Sequence, residues 1–494
     1  MKPIHSFIFL FVILVILAII GEIHPKELEI SGVKLKFSNL ETLLSKTPEK
    51  KDITKIVANT SLIDDLKSEE KIIVNEDNTV DTVRVIADSL FNVVEKLQFP
   101  NEDPSCMNVL FQKLISSTNQ GKSLRILHYG DSQIEGDRIT DYVRNKLQTK
   151  FGGSGPGMVP VVPANNISTT VKISYSDNWK RYTVFGKQDT TVKHKRYGSL
   201  AAFSRFAPVL PEADSTQPSI SETGKVYEAW VKLQKSSNSY STNRSFSKLM
   251  LFYGYNQSPV VAELYAGDEL LGLKSLHSNT SLNVATWDVE NSADEFTIKF
   301  SGKDSPDIYG ISLQNPTGIV ADNIPMRGSA GLEFNKMDLK FLGEMYQLLN
   351  VDMLILEFGL NLAPSENESY DYYENWFSAQ LRSLKKLNPD MAIIVIGVSD
   401  MSRKTADYYE TWPSIPLIRA AQRNAAFKNG CGFWDLFEAM GGENSMPSWV
   451  FADPPLAGKD FTHFNPNGAR VIARMFYNAF IYEFNQYLKK KTSK

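Results

Sequence analysis

The chain of 494 residues lacks the sequence features that mark several common classes of protein. It has only two cysteines, Cys106 and Cys431, which excludes a disulfide-rich scaffold and leaves open whether the two pair. It contains neither a zinc-like Cys/His cluster nor a Walker A or GxGxxG sequence of a nucleotide-binding protein. With 53 basic and 56 acidic side chains, its net charge of −3 offers no broad attraction to nucleic acid, and we expect no nucleic-acid partner.

A charge-free apolar run, FIFLFVILVILAII at residues 7–20, lies close to the N-terminus. It is short for a membrane-spanning helix, which needs roughly 17–25 residues, but apolar neighbours bring it near that limit. Lys2 precedes the run, and no small-x-small cleavage site follows it. We expect residues 1–25 to be an uncleaved signal anchor; a cleaved signal peptide and a buried core helix are the alternatives. Either export signal predicts an extracytoplasmic location, in the periplasm or cell envelope beside the inner or plasma membrane.

The hydropathy pattern divides the rest of the chain. Residues 26–78 are polar and charged, which predicts a stalk. From Thr79 to Pro100, apolar residues recur every three or four positions and predict a helix. Farther along, apolar runs alternate with helical patterns, at 124–129, 353–359, 391–398 and 432–437. This alternation predicts an α/β fold, with a parallel sheet covered by helices on both faces, over 79–164 and 319–494.

Residues 165–318 interrupt that alternation with short Ser-, Thr-, Tyr- and Val-rich runs separated by turn residues. They predict a β-sandwich inserted into the α/β domain. Aromatic faces suit sugar C–H surfaces, so six aromatic side chains are candidates for binding glycan, although aromatics in a sandwich more often form its core: Tyr175, Trp179, Tyr182, Tyr227, Trp230 and Tyr253.

A candidate nucleophile follows the first apolar run, where the sequence Gly130-Asp131-Ser132 begins a helical pattern. A nucleophilic serine needs a base and a group that orients the base. Of the six histidines, His463 has the best setting: Asp460 lies three residues earlier, and Asn465-Pro466 resembles a helix start. His128 lies within the strand before the turn, and we expect it to point away from Ser132 or to pack. A surface loop is the alternative for the DxxH segment.

Donors for a developing oxyanion are found in two further segments. NIPMRGSAG, residues 323–331, offers the backbone N–H of Gly328, and Asn361 follows a strand and offers its side-chain amide. Both positions, like Ser132, fall where α/β sheets place ligands. The N–H of Ser132 itself, at a helix start, would be a third donor. The alternatives are an ordinary turn for Gly328 and a helix cap for Asn361.

These four segments resemble, in order, the four blocks of the SGNH/GDSL hydrolase superfamily. One departure occurs: the third block is usually GxND, whereas Leu362 follows Asn361 here. The segment GDSQIEGDRITDYVRNKLQTKFGGSGPGMVP, together with the β-rich insert, is similar to the peptidoglycan O-acetylesterase branch, in which the insert is a carbohydrate-binding-like module. The resemblance implies a flavodoxin-like three-layer sandwich.

The resemblance also implies a function. Ser132, His463 and Asp460 would form the catalytic triad of a serine esterase that removes acetyl groups from an O-acetylated glycan, with Ser132, Gly328 and Asn361 at the oxyanion. No metal or cofactor is needed for that chemistry. An O-acetyltransferase with the same triad, held beside a membrane protein that exports acetyl groups, is one alternative. A catalytically silent, anchored glycan-binding protein is the other. The sequence leaves open the sugar, the acyl group and the oligomeric state.

Overall fold

Five parallel strands form the centre of the α/β domain in a computed structural model of the chain. They are β1 (Ser123–Gly130), β2 (Gly318–Pro325), β3 (Val351–Glu357), β4 (Ala392–Ile396) and β5 (Gly432–Trp434). Their spatial order is β2-β1-β3-β4-β5, and a short strand, Leu97–Gln98, pairs antiparallel with the outer edge of β5. This is the flavodoxin-like order, in which ligands bind where the strand order reverses, at the carboxyl ends of β1 and β3.

The structure describes residues 3–23, 28–30, 33–35, 51–58, 67–74, 80–87, 90–91, 93–117, 123–165, 167–209, 225–290, 293–405 and 408–492.

Helices cover both faces of the parallel sheet because successive side chains of its buried strands point to opposite sides. In β3, Met353 and Ile355 belong to one apolar core, whereas Leu354 and Leu356 belong to the other. The first core is closed by helices Asn108–Ser117, Thr140–Phe151 and Pro466–Thr492, and the second by Leu339–Leu349, Asp371–Leu387 and Ser414–Lys428. The predicted α/β fold with a parallel sheet is confirmed.

Residues 157–314 contain two antiparallel sheets that pack face to face. One sheet has the strands Lys180–Thr183, Ala202–Arg205, Lys248–Gly254, Asn283–Asp288 and Asp307–Gln314, joined by Gly157–Val159. The other has Val171–Tyr175, Tyr227–Lys235, Val260–Ala266, Glu269–Leu276 and Glu295–Gly302. Leu249 and Leu251 of the first sheet share a buried core with Val231 and Ile298 of the second. We call this β-rich region the insert.

The first sheet of the insert is also buried on its other face, against the α/β domain. Phe252 and Tyr309 pack in the same core as Phe341 and Met345 of the helix Leu339–Leu349. A buried ion pair fixes the junction: Arg125 of β1 lies 2.6 Å from Asp322 of β2 and also donates to Ser312 and Gln314 of the insert. The insert is therefore packed directly against the α/β domain through buried polar and apolar contacts.

The helix predicted from Thr79 is wrong. Strands Ser68–Val74 and Val80–Ile86 form an antiparallel hairpin with Val74 opposite Val80. Val83 and Val85 are buried whereas Thr82 and Arg84 are exposed, so burial alternates from one residue to the next, as in a strand. The β-branched residues of this run also favour a strand. The side chain of Asn485 bonds both the N–H and the C=O of Ile86, which attaches the hairpin to the C-terminal helix.

Parts of the stretch predicted as a stalk also pack on the α/β domain. Ile53, before helix Thr54–Ala58, and Ile73 of the hairpin are buried in its core. A boundary at residue 78 would separate the two strands of the hairpin. The remaining elements are the strands Leu28–Ile30, Val33–Leu35, Ser402–Thr405 and Tyr408–Thr411 and the short helices Ser241–Arg244, Leu436–Ala439 and Met446–Val450.

The first helix spans Pro3–Ile23 and contains the apolar run. Its apolar side chains from Ile4 to Leu17 are exposed, so the alternative of a buried core helix is wrong. In the described ranges, no helix meets the length and hydropathy that crossing a membrane requires. Cys106 and Cys431 are both free thiols, and Cys431 is buried.

Candidate active site

The predicted nucleophile, base and orienting carboxylate form one hydrogen-bonded chain. Ser132 Oγ lies 2.8 Å from His463 Nε2, and His463 Nδ1 lies 2.8 Å from Asp460 Oδ2. Ser132 is half-buried and the His463 side chain is one-third exposed, so the serine is packed but open to a ligand. With Asp460 accepting the Nδ1–H, Nε2 is left to accept the serine proton. The predicted surface-loop alternative does not account for this arrangement.

Asp460 is fixed by its own loop. Its Oδ1 accepts the backbone N–H groups of Thr462 and His463, both at 3.1 Å. Burial alone would raise the pKa of Asp460, but hydrogen bonds from the His463 ring and from these two N–H groups outweigh it and lower the pKa below its ordinary value. The Asp460 carboxylate is therefore ionised at neutral pH, where it can stabilise the charged form of the His463 imidazole.

A second contact between the two ends of the chain was not predicted from the sequence. Gln133, the buried neighbour of Ser132, accepts the N–H of Phe464 at 3.0 Å and donates to the carbonyl of Thr462 at 3.2 Å. The two bonds therefore hold the residues directly before and after His463 in the sequence. Arg138 adds a bond to the Phe464 carbonyl at 3.0 Å. The turn that carries the nucleophile thus holds the loop that carries the base.

The turn itself begins at the end of β1. Asp131 caps it by accepting the N–H of Gln133 at 2.9 Å, and helical turn residues Ser132–Asp137 follow. Asp131 is fully buried, and burial raises its pKa to about 7 although backbone N–H groups, including that of Leu360, oppose the shift. The nearby Glu357 carboxylate, at the end of β3, raises it further. Glu357 also lies 3.1 Å from His128 Nε2, and His128 Nδ1 lies 2.8 Å from Thr140, so His128 packs as predicted and does not contact Ser132.

The loop with Gly328 is held against β1 and the third block. The Met326 N–H donates to the Gly130 carbonyl at 2.7 Å. Gly328 has φ +81°, a conformation that favours glycine, and a Cβ there would meet no atom within 4 Å. Open space therefore adjoins Gly328 on the side where a side chain would lie. Ser329 and Glu333, which hydrogen-bond each other, stiffen the rest of the loop.

Asn361 is exposed and is oriented through this same loop. Its Nδ2 donates to the Ser329 carbonyl at 2.9 Å, which leaves the second amide hydrogen for a ligand. The preceding Gly359 has φ +126°, and a Cβ there would approach Val398 to 2.9 Å, so the turn before Asn361 requires glycine. Asn361 is thus positioned without the aspartate that usually follows it in the third block.

The position of the site, the aromatic side chains of the insert and the clusters of possible metal ligands bear on what the site can bind. The four predicted segments converge at the carboxyl ends of β1 to β3, beside the insert. Of the six candidate aromatics, Trp179 and Tyr253 are buried in the insert core, and Tyr182 is buried in the core that the insert shares with the α/β domain. Tyr175, Tyr227 and Trp230 are at least partly exposed. In the described part of the chain, no group of three or more His, Cys, Asp or Glu side chains is arranged to hold a metal ion.

The structure of this chain is similar to solved structures of other proteins. The solved structure of a peptidoglycan O-acetylesterase matches with a TM-score of 0.58 and 20% identity, over 77% of this chain and 97% of that one. An acetyl xylan esterase and a carbohydrate esterase family 3 protein from Talaromyces cellulolyticus each match 33% of this chain, at 17% and 16% identity, with TM-scores of 0.26. No family model and no curated protein matches the sequence. The chain is therefore similar in fold to the solved structure of a peptidoglycan O-acetylesterase.

Proposed function

We propose that this protein is a serine esterase that removes O-acetyl groups from a cell-envelope or extracellular glycan of the peptidoglycan type. The observation that carries the proposal is the hydrogen-bonded chain from Ser132 through His463 to Asp460. It lies where an α/β sheet places ligands, with candidate oxyanion donors on two neighbouring segments. The same arrangement serves acyl transfer on unrelated folds.

In the proposed mechanism, Ser132 Oγ attacks the acetyl carbonyl while His463 Nε2 takes the serine proton. Asp460 keeps the imidazole in the required tautomer and stabilises its charged form. The N–H groups of Ser132 and Gly328 and the Asn361 amide donate to the oxyanion. Collapse breaks the ester bond, His463 returns the proton to the departing sugar hydroxyl, and the acetyl group stays on Ser132. Water, activated by His463, then releases acetate and regenerates the serine.

The glycan substrate rests on two lines of support. The fold is similar to that of a peptidoglycan O-acetylesterase over 97% of that chain and 77% of this one. The insert is packed against the α/β domain beside the site, where a bound polysaccharide could contact both. We assign the insert a carbohydrate-binding role, with Trp230, whose side chain is exposed on the strand Tyr227–Lys235, as its best candidate for stacking.

We further propose that the N-terminal segment keeps the enzyme at a membrane on the extracytoplasmic side, as a signal anchor. The support is the apolar run itself and the exposure of its side chains along the helix Pro3–Ile23. Carbonate washing of membranes separates attached from peripheral protein. The full chain should stay with the membranes and a chain lacking residues 1–25 should not; release of both would contradict attachment through this helix.

Acetate release from O-acetylated peptidoglycan tests the proposed activity. The wild-type protein should release acetate, and Ser132→Ala should lose on the order of 10⁶ in kcat, as the loss of a triad nucleophile does. Ser174→Ala removes an exposed serine of the insert and is the matched control, because it should retain activity. Transfer of the acetyl group to an oligosaccharide without free acetate would instead assign an O-acetyltransferase. Glycan binding without any ester cleavage would reject both enzymes.

A further inference from the structure

A cavity of about 90 Å³ lies between the nucleophile turn and the insert. That volume holds several water molecules, or one small functional group of a larger ligand. Its walls are mostly apolar, and they come from both parts of the fold: Glu135 and Gly136 of the turn, Pro325 at the end of β2, and Ile173, Arg181 and Leu200 of the insert.

The cavity is close enough to Ser132 to share a ligand with it. Glu135 belongs to the same short turn as Ser132, and Pro325 is the sheet partner of Gly130, two residues before the serine. Neighbouring strands are about 4.8 Å apart, so the cavity begins within roughly 10 Å of the Ser132 hydroxyl. A substituent of a sugar whose ester lies at Ser132 can therefore reach it.

The cavity contains two arginines with different surroundings. Arg144 is saturated: it donates to both oxygens of Asp137, at 2.7 and 3.1 Å, and to the Ala321 carbonyl. The guanidinium of Arg181 has neither a hydrogen bond nor an ion pair with any described residue, and its Nε is buried. Among the described residues, the guanidinium carbon of Arg181 makes one cation–π contact, 5.8 Å from the centre of the Phe185 ring.

Arg181 therefore presents to the cavity a guanidinium that no described carboxylate pairs. Of the two carboxylates in the cavity walls, Asp137 pairs with Arg144, and Glu135 lies 3.8 Å from Arg327. Burial lowers its pKa to about 10, and no described carboxylate contributes to that value, so Arg181 is a cation at neutral pH. A largely buried cation without a partner is unfavourable, and an anion that accepts from it recovers the lost interaction. A guanidinium matches a carboxylate in particular, because its planar donors pair with both oxygens.

We propose that this cavity is a subsite for the carboxylate of an acidic saccharide, which Arg181 binds while an acetyl ester of the same glycan lies at Ser132. The inference rests on the proposed esterase function and adds the charge of its substrate. Two kinds of sugar carry such a group: uronic acids, on the ring, and sugars with a carboxyalkyl ether. The apolar walls around Arg181 suit the carbon atoms next to the carboxylate in either case.

The test compares an O-acetylated oligosaccharide bearing a free carboxylate with its primary amide, which has nearly the same shape and no charge. The wild-type kcat/KM should be roughly 10- to 100-fold higher for the acid, the range expected for a hydrogen bond to a charged group. In Arg181→Gln this ratio should fall close to one. Because both substrates are measured on one protein sample, any loss of folded protein cancels from the ratio.

Lys180→Gln is the matched control, since Lys180 is the adjacent cation and pairs with Asp189 at 2.6 Å outside the cavity. It should keep the wild-type ratio. Equal rates on acid and amide in the wild type, or an unchanged ratio in Arg181→Gln, would overturn the subsite and leave the esterase intact. Uronate and carboxyalkyl-ether substrates, tested side by side, identify the source of the carboxylate.

Direct binding separates failure of the subsite from failure of the esterase. If neither ester is cleaved, the proposed function fails, and the unacetylated acid and amide then test the subsite by calorimetry. Tighter binding of the acid, lost in Arg181→Gln, would support the carboxylate subsite without catalysis. Equal binding of acid and amide would overturn it.

Discussion

Replacing Asp131 with asparagine should change how the stability of the protein depends on pH. Asp131 is fully buried, and its Oδ1 accepts the Gln133 N–H. Burial raises its pKa to about 7, against 3.8 for an ordinary aspartate. Between these values the folded protein holds a proton that the unfolded chain releases, so the free energy of unfolding falls as pH rises through this window.

The magnitude follows from the width of the window. Each pH unit corresponds to about 1.4 kcal/mol, so this one carboxyl should lower the free energy of unfolding by about 4 kcal/mol between pH 4 and pH 7. Asparagine cannot ionise and keeps the oxygen that accepts from Gln133. The free energy of unfolding of Asp131→Asn, relative to that of the wild type, should therefore rise by about 4 kcal/mol from pH 4 to pH 7 and stay constant above pH 7.

Urea unfolding, followed by tryptophan fluorescence at intervals between pH 4 and pH 8, measures this difference. Glu483, whose pKa is also raised to about 7, contributes equally to both proteins and cancels. Asp103→Asn is the control, because Asp103 is exposed and its pKa is lowered by hydrogen bonds from Ser105. Its profile should run parallel to that of the wild type above pH 4. A parallel profile for Asp131→Asn would refute the inference that Asp131 is protonated in the folded protein.

Three further substitutions test the site, each by kcat and KM on p-nitrophenyl acetate. Asp460→Asn should lower kcat on the order of 10⁴-fold because it favours the wrong imidazole tautomer, and near-normal kcat would remove Asp460 from the triad. Asn361→Ala should lose on the order of 10²–10³ in kcat with little change in KM; a change in KM alone would assign it to binding. Gln133→Ala removes both bonds that bracket His463 and should lower kcat roughly 10- to 100-fold, and an unchanged kcat would show that the loop holds its position without them.

The parts of the site that depend on neighbouring residues could be predicted from the sequence. The apolar run before Gly130-Asp131-Ser132 predicts a strand and a turn, and the three-residue spacing of Asp460 and His463 permits their contact within one loop. The sequence predicts the pairing of Ser132 with His463 because none of the other five histidines has as favourable a setting. Their roles in catalysis stay predictions until the variants are assayed.

The parts that depend on distant residues could not be predicted. Gln133 and Phe464 are 331 positions apart, and nothing local marks Gln133 as the residue that holds the base loop. Arg181 lies in a polar strand, and only the fold buries its Nε where no described residue accepts a hydrogen bond from it. A helix is the wrong prediction for the strand Val80–Ile86 because Val80, Val83 and Ile86 satisfy a helical spacing. In the structure, buried Val83 and Val85 alternate with exposed residues, as in a strand.

Mapping the acetylated residue during turnover tests the central claim most directly. The wild-type protein is mixed with an acetyl ester, quenched in acid within the first turnovers, digested and analysed by mass spectrometry. One acetyl group should appear on the peptide that contains Ser132, and it should be absent in Ser132→Ala. Ester cleavage in the wild type with an acetyl group on another residue, or undiminished cleavage by Ser132→Ala, would contradict the proposed mechanism.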